Sequence, residues 1–341
     1  MTWTESRKPL PGAHRTRYGS RMHTRTDELE NFKRINLHEY ASTRGFVLDQ
    51  RKSSRHSVVM RKVNGDKLII GKAPNGVYYY FNAKGNDSGT IIDLVQALDG
   101  GTLGDVRRTL RAYDGSSVHP PSFTLPFELQ PSQHDAARVL SGWMKAKPLR
   151  KPHPYLTDIR NISEVVQLDP IFHDRIRIDH RGNMVVPHFN SSGLCGYELK
   201  NGTSRGTTFT GFSPGGVKAL ACSRPRDTDR AMIVCETAID MFSLATLEGT
   251  DRRRFFSTAG QISPMQAECL RSAAANMPAD SQVFLAFDND DGGKKLAAQV
   301  RTALNTIDLP IHTYFPDLAG GDWNDVLSQL RRSDAPQPRL D

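Results

Sequence analysis

Cysteine is scarce in this chain: four in 341 residues, at Cys195, Cys222, Cys235 and Cys269, with no C-x-x-C pair among them. That argues against a zinc ribbon or a disulfide framework, so no zinc is expected, and it fits a reducing cytoplasm. Long apolar runs are missing too. None approaches the roughly 20 residues that cross a bilayer, so no membrane association is expected. The opening residues, MTWTESRKPLPGAHRTRYGSR, lack the apolar core of a secretory signal and read as a mobile basic arm in preference to a transit peptide. Acidic residues are in deficit, 37 Asp and Glu against 45 Lys and Arg, which leaves a net charge of +8. Such a balance favours polyanionic partners without specifying any chemistry. There is no G-x-x-x-x-G-K-[ST] phosphate loop and no G-x-S-x-G elbow, which removes the P-loop NTPases and one large class of serine hydrolases.

What is present divides into segments. After an arm over residues 1–30, FKRINLHEYASTRGFVL predicts a short amphipathic helix burying Ile35, Leu37 and Tyr40. SVVMRKV, DKLIIGKA and GVYYYFNA predict strands, separated by turns at Asn64-Gly65 and Asn75-Gly76. SGTIIDLVQAL predicts a helix capped by Ser88 or Thr90 and burying Ile91, Leu94, Val95 and Leu98. Together, residues 31–113 make a small α+β module. Four prolines in an aperiodic stretch mark 114–134 as a linker. A mixed α+β unit follows at 135–227, with helices at DAARVLSGWMKA and around YLTDIRNISEVVQL, a turn at 179–183, and strands on either side of it.

From 228 to 332 strands and helices alternate. AMIVCE, RRFFSTAG, SQVFLAFD and IHTYF predict strands, each followed by a helix, which implies an α/β domain with a parallel sheet of about four strands flanked by helices. Residues 333–341 are a tail. Ligands of such sheets bind beyond the carboxyl ends of the strands. Glu236 ends the first strand, Asp288 and Asp290 end the third, and Asp322 opens the last helix. In FLAFDNDDGGKK, Asp288 and Asp290 are two apart, so an extended segment puts both side chains on one face, with Asp291 adjacent. A hard divalent cation, Mg²⁺ or Mn²⁺, would relieve their repulsion and could bridge to phosphate. Gly292 and Gly293 allow close backbone approach, and Lys294 and Lys295 begin a helix where phosphate could sit. Taken alone, the stretch reads equally as an Asp helix cap. An EF-hand is excluded, because Gly292 comes too early and no closing glutamate follows.

IVCETAID, STAG, AFDNDDGGKKLA and GGDWNDVL, in that order and spacing, resemble a TOPRIM domain, the metal-binding fold of bacterial replicative primases, topoisomerases and some nucleases. The resemblance implies that Glu236 is the family's glutamate, with Asp240 one helical turn later as in primases. It makes Asp288 and Asp290 the DxD pair, Gly260 the loop glycine and Asp322 the late aspartate. More weakly, YLTDIRNISEVV, RIRIDHRGNMVVPHFNSSGLCGYELKN and GFSPGGVKAL are similar to the region before TOPRIM in primase-like proteins of plasmids and other mobile elements. There Lys200 would face template or nucleotide, with Arg181 among the basic residues of the same strands. GVYYYFNAKGNDSGTIIDLVQAL resembles the primase zinc-finger module without its cysteines, and no helicase-binding domain is expected after Asp322.

The implied activity is primer synthesis on single-stranded DNA from nucleoside triphosphates, for plasmid, phage or integrative-element replication or transfer, with a helicase or relaxase as a further partner. Glu236, Asp288 and Asp290 would hold the metal. Arg252, Arg253 and the other basic clusters would follow the DNA phosphates, and Tyr79 would stack on a base, although packing within the sheet is the commoner role of such an aromatic run. Two alternatives stand beside this: a TOPRIM nuclease using the same metal cage, and a single-strand-binding protein without catalysis. The basic unit at 135–227 and the absence of an ATPase domain favour the primase-like reading over the nuclease.

Overall fold

The computed structural model describes residues 25–63, 65–83, 87–113, 125, 127–131, 133–203 and 208–333. The expected arm up to residue 24, the turn position Asn64, most of the expected linker and the tail after Ser333 lie outside the described residues. The chain forms two compact units, Met1–Ser132 and Gln133–Asp341.

In the first unit, helices α1 (Arg25–Phe32) and α2 (Leu37–Thr43) precede strands β1 (Val47–Leu48), β2 (Val58–Arg61), β3 (Lys67–Lys72), β4 (Tyr78–Asn82) and β5 (Ser88–Gly89). The strands pair antiparallel in that order, and α3 (Ile91–Asp99) and α4 (Leu103–Ala112) complete the unit. The helix expected through Ile35 and Leu37 is interrupted: α1 ends at Phe32, and the Lys33 carbonyl accepts the Tyr78 N–H (3.0 Å), a strand contact that replaces the helical bond. Leu37 and Tyr40 are buried with Val58, Met60, Leu68, Ile70, Tyr80, Ile91 and Leu94. Thr90, not Ser88, caps α3, in a reciprocal box with Asp93. Leu129, from the segment expected to be linker, is also buried in this core.

The second unit begins with α5 (Ala136–Lys145), capped by Asp135. Strands β6 (Lys147–Pro148), β7 (Arg177–Ile178), β8 (Met184–Asn190), β9 (Gly193–Gly202) and β10 (Thr208–Phe212) form an antiparallel sheet in the order β10-β9-β8-β7-β6. The helix expected around YLTDIRNISEVVQL is split into a single wide turn at Tyr155–Ile159 and the short α6 (Glu164–Gln167), because Asn161 takes a left-handed conformation (φ 56°) and Ser163 starts a new helix. The 179–183 turn forms as expected, with the Asp179 N–H donating to the Asn183 carbonyl (3.0 Å).

The alternating segment then gives β11 (Ala221–Cys222), β12 (Ala231–Cys235), α7 (Ala238–Glu248), β13 (Arg253–Ser257), α8 (Pro264–Ala275), β14 (Gln282–Ala286), α9 (Asp291–Ala303), β15 (Ile311–Thr313) and α10 (Trp323–Ser333). Its sheet has five strands in the order β11-β13-β12-β14-β15. The four expected strands are parallel, and β11 adds an antiparallel edge against β13. Strand β12 lies in the middle and is almost wholly buried, as a strand covered by helices on both faces must be. A Phe189–Leu220 bridge ties the two sheets. They also share a core in which Phe172 meets Phe242 edge-on, ring centroids 5.0 Å apart.

Candidate active site

The register of the parallel sheet assembles the site. Cys235 pairs with Ser257 on one side and Ala286 on the other. Glu236 therefore lies one residue, and Asp288 two residues, beyond the same level on strands about 4.8 Å apart. Asp322 is brought to this end by the loop before α10. The Asn289 N–H donates to the Gly321 carbonyl (3.0 Å), the Gly320 N–H donates back to the Asn289 carbonyl (2.8 Å), and the Trp323 indole donates to the Ala286 carbonyl (3.0 Å). Trp323 is thus a packing residue beside Asp322.

Three of the acids also cap helices. Asp290 caps α9, its Oδ1 accepting the Gly293 N–H at 2.7 Å. Asp322 Oδ1 accepts the Asp325 N–H at 2.7 Å. Asp240 forms a box with Thr237, whose hydroxyl donates to Asp240 Oδ2 at 2.6 Å. Its other oxygen, Oδ1, is buried without a hydrogen-bond partner, as is Asp288 Oδ1. Gly293 allows the close approach expected of it, since a Cβ there would lie 2.1 Å from the Asp288 carbonyl oxygen. Gly260 adopts φ +93° and donates its N–H to the Glu236 carbonyl (3.1 Å), so the loop after β13 closes under the glutamate.

Electrostatics tie the acids into one group. Burial, then Asp240, Glu236, Asp322 and Asp290, pushes Asp288 up to about 8. Burial and then Asp322 push Asp240 up to about 6. Glu236 is raised by burial and by Asp240 and Asp290, and Asp322 is raised chiefly by burial. The result is a nest of carboxylates that partial dehydration and mutual repulsion hold in a costly state. Among the described residues, no group of three or more His, Cys, Asp or Glu side chains is arranged to hold a metal ion unaided. The donor set nevertheless fits magnesium, which takes few carboxylates and completes its shell with waters and substrate phosphates. The two partnerless oxygens of Asp240 and Asp288 are unused, buried, hard donors.

Cations stand opposite. Lys218 counters the charge of Glu236, Lys200 that of Asp240 and Arg160 that of Asp322. Lys218 Nζ donates to the Ala259 (2.9 Å) and Gln261 (3.2 Å) carbonyls on either side of Gly260. Arg160 donates to the Tyr155 hydroxyl (3.0 Å). Sequence reasoning did not single out Lys218 or Arg160. Both lie outside the alternating segment, and only tertiary approach brings them to the acids.

The remaining candidates are dispersed. Asp291 is exposed at the start of α9 and is not among the carboxylates acting on Asp288, and Lys294 and Lys295 are exposed in the same first turns. Arg181 is exposed in the turn before β8. Arg252 and Arg253 sit at the amino end of β13, where Arg253 pairs with Ala231, about 16 Å or more along the strands from the carboxylates. There Arg253 closes the end of α7 through the Glu248 carbonyl and carboxylate, beside an open cavity of about 500 Å³ also lined by Arg230 and Asp280. Tyr79 belongs to the other unit. It is 42% exposed, and its ring lies over Gly71.

Among the described residues, no helix is long and apolar enough to cross a membrane. Residues 154–229 match a family described only as a protein of unknown function (DUF3991). No curated protein matches the chain. Eight solved chains overlap it in part, two of them as follows. One is from bacteriophage T7: a complex of its lagging-strand DNA polymerase with primase domains of two gp4 subunits bound to an RNA/DNA hybrid and dTTP. That overlap has 15% identity and a TM-score of 0.35, over 55% of this chain and 87% of that one. The other is the RNA polymerase domain of Mycobacterium tuberculosis primase DnaG, at 13% identity and a TM-score of 0.29, over 70% of this chain and 77% of that one. Overlaps this shallow fix neither fold nor activity. Residues 233–327, which contain all five clustered carboxylates, match the Toprim-like family, and this part of the chain is a Toprim-like domain.

Proposed function

We propose that this protein is a DNA primase-like nucleotidyltransferase that makes short primers on single-stranded DNA by metal-dependent phosphoryl transfer, in the replication or transfer of a plasmid, phage or integrative element. The observation that carries this reading is the convergence of Glu236, Asp240, Asp288, Asp290 and Asp322 at the carboxyl ends of the strands, with Lys200, Lys218 and Arg160 facing them. Acids alone serve hydrolysis and transfer equally. Cations within the acidic site favour a substrate with concentrated negative charge, and a nucleoside triphosphate has more of it than a single phosphodiester.

Asp288, Asp290 and Glu236 would hold Mg²⁺ or Mn²⁺, with Asp240 and Asp322 adding negative charge behind them. The ion supplies Lewis acidity and neutralises charge on the reacting phosphoryl oxygens. Lys200, Lys218 and Arg160 bind and orient the triphosphate. Glu236, raised by burial and by its acidic neighbours, takes the proton of the attacking 3′-hydroxyl as pyrophosphate leaves the α-phosphorus. The basic surface elsewhere binds template phosphates without reading sequence.

The test is incubation with single-stranded DNA, labelled nucleoside triphosphates and Mg²⁺ or Mn²⁺. Labelled oligonucleotide is expected, reduced at least about 100-fold by Asp288→Ala, in keeping with the loss of a metal ligand. Folded protein that makes none overturns the reading. Metal-dependent nicking without nucleotides, removed by the same substitution, would replace it with a nuclease.

A further inference from the structure

One buried acid stands apart from the carboxylate nest. Glu198, on β9, is 5% exposed, and it lies on the same face of the strand as Lys200 two residues on. Burying a lone carboxylate is costly, so a strand that keeps one must surround it with compensating charge. Lys200 Nζ lies 3.3 Å from Glu198 Oε2, and His188 Nε2 lies 3.9 Å from Oε1, too long for a hydrogen bond. Lys218 also acts on it electrostatically. Burial opposes the charge of Glu198, but Lys200 and His188 outweigh that and hold its carboxyl down at about 2, so it is ionised at any working pH.

The same two lysines act on the acidic site, Lys200 on Asp240 and Lys218 on Glu236. The Lys200 ammonium is therefore shared between Glu198 and the cluster, whereas Lys218 Nζ is held by the Ala259 and Gln261 carbonyls. Without a counter-charge of its own, Lys200 beside five carboxylates would fold onto them and fill the space a metal and phosphates need. The backbone around Lys218 is tied down as well. His188 Nδ1 is within hydrogen-bond distance of both the Ala219 carbonyl (2.9 Å) and the Ala219 N–H (3.1 Å), and Gln266 donates to the same carbonyl (3.0 Å). His188 and Glu198 come from adjacent strands, β8 and β9. One small buried group thus fixes the stem of Lys218 and the charge of Lys200.

We propose that Glu198 is a positioning residue: as the counter-ion of Lys200, it holds that ammonium back from the acidic cluster as a preset seat for substrate phosphates. The phosphate part rests on the nucleotidyl-transfer reading, and the holding of the lysine does not. Glu198→Gln keeps the shape and removes the charge, and Glu198→Asp keeps the charge.

In the full chain, acetylation of Lys200 by a water-soluble acylating reagent, followed by mass spectrometry, should slow at least fivefold in Glu198→Gln, as the released ammonium moves onto the carboxylates, and return towards the wild-type rate in Glu198→Asp, while Lys218 keeps its wild-type rate in both. In the same protein, ATP affinity with Mn²⁺ present should fall about tenfold in Glu198→Gln, and the apparent KM for nucleotide should rise more than kcat falls. Mn²⁺ affinity should fall as well, by about threefold or more, because the released ammonium occupies the metal's space. In a Lys200→Met background, Glu198→Gln should cost far less ATP affinity than it does alone. Unchanged acetylation of Lys200 in folded Glu198→Gln overturns the proposal. So does a loss of ATP affinity that is undiminished in the Lys200→Met background. Slower acetylation in Glu198→Gln, with no ATP binding even by wild type, upholds the lysine holding and overturns the nucleotide reading instead.

Discussion

At Asp288, burial and four neighbouring carboxylates act in the same direction and move its pKa from an ordinary 3.8 to about 8. The sign of the pH dependence follows. An acid whose folded pKa lies above its unfolded value binds its proton more tightly when folded. Its contribution to stability is full below the unfolded value and is lost as pH rises towards 8. Metal-free wild-type protein should therefore lose stability between pH 5 and pH 8, and Asp288→Asn should remove part of that slope. At pH 8 the variant should be the more stable by at least about 1 kcal/mol, measured by urea unfolding at both pH values. Mg²⁺ should stabilise wild type more at pH 8 than at pH 6, because the ligand must shed its proton to bind. Glu236, Asp288 and Asp290 were legible in the sequence because they follow apolar runs at strand ends, Asp322 because it opens the last helix, and Asp240 only through the family resemblance. Glu198, Lys218 and Arg160 were not, because each sits in an unremarkable local context and acquires its role only when β9, the segment before β11 and the turn after Ile159 are folded against the Toprim-like sheet.

Among the elements, those with redundant signals were the ones the sequence revealed. β12 and β14 are buried apolar runs, and α7, α8 and α9 begin at Thr237, Ser263 and Asp290, residues that cap. The two-residue strands β1, β5, β6 and β11 are too short for any alternation to show, and the break at Asn161 depends on a backbone conformation that the residue type permits without requiring. The capping boxes carry function as well as stability. Thr237→Ala should cost about 1 kcal/mol in denaturant unfolding, as cap losses do. It should also lower activity, because Asp240 loses the hydroxyl that orients it. Gly293→Ala should do more damage to the site than to the helix. Alanine favours helix by up to about 1 kcal/mol over glycine, yet its Cβ would meet the Asp288 carbonyl oxygen at 2.1 Å and displace the loop that carries Asp288 and Asp290. Stability near wild type with Mn²⁺ affinity reduced at least tenfold is the expected pair of results.

For the molecule as a whole, charge and core play separate parts. The net charge of +8 favours a polyanion, and single-stranded DNA affinity should fall at least about tenfold between 50 and 200 mM salt if three or more phosphates are engaged. The antiparallel sheet and the Toprim-like domain share a core through Phe172 and Phe242, so Phe242→Ala should cost about 3–5 kcal/mol and melt both together in one transition. Beneath all of this lies the claim that the clustered carboxylates are a divalent-cation site. Titration of full-length protein with Mn²⁺, followed by electron paramagnetic resonance, tests it most directly. The account predicts Mn²⁺ binding that Asp288→Asn and Glu236→Gln each weaken at least tenfold while the protein remains folded, and binding equal to wild type in both variants would contradict it.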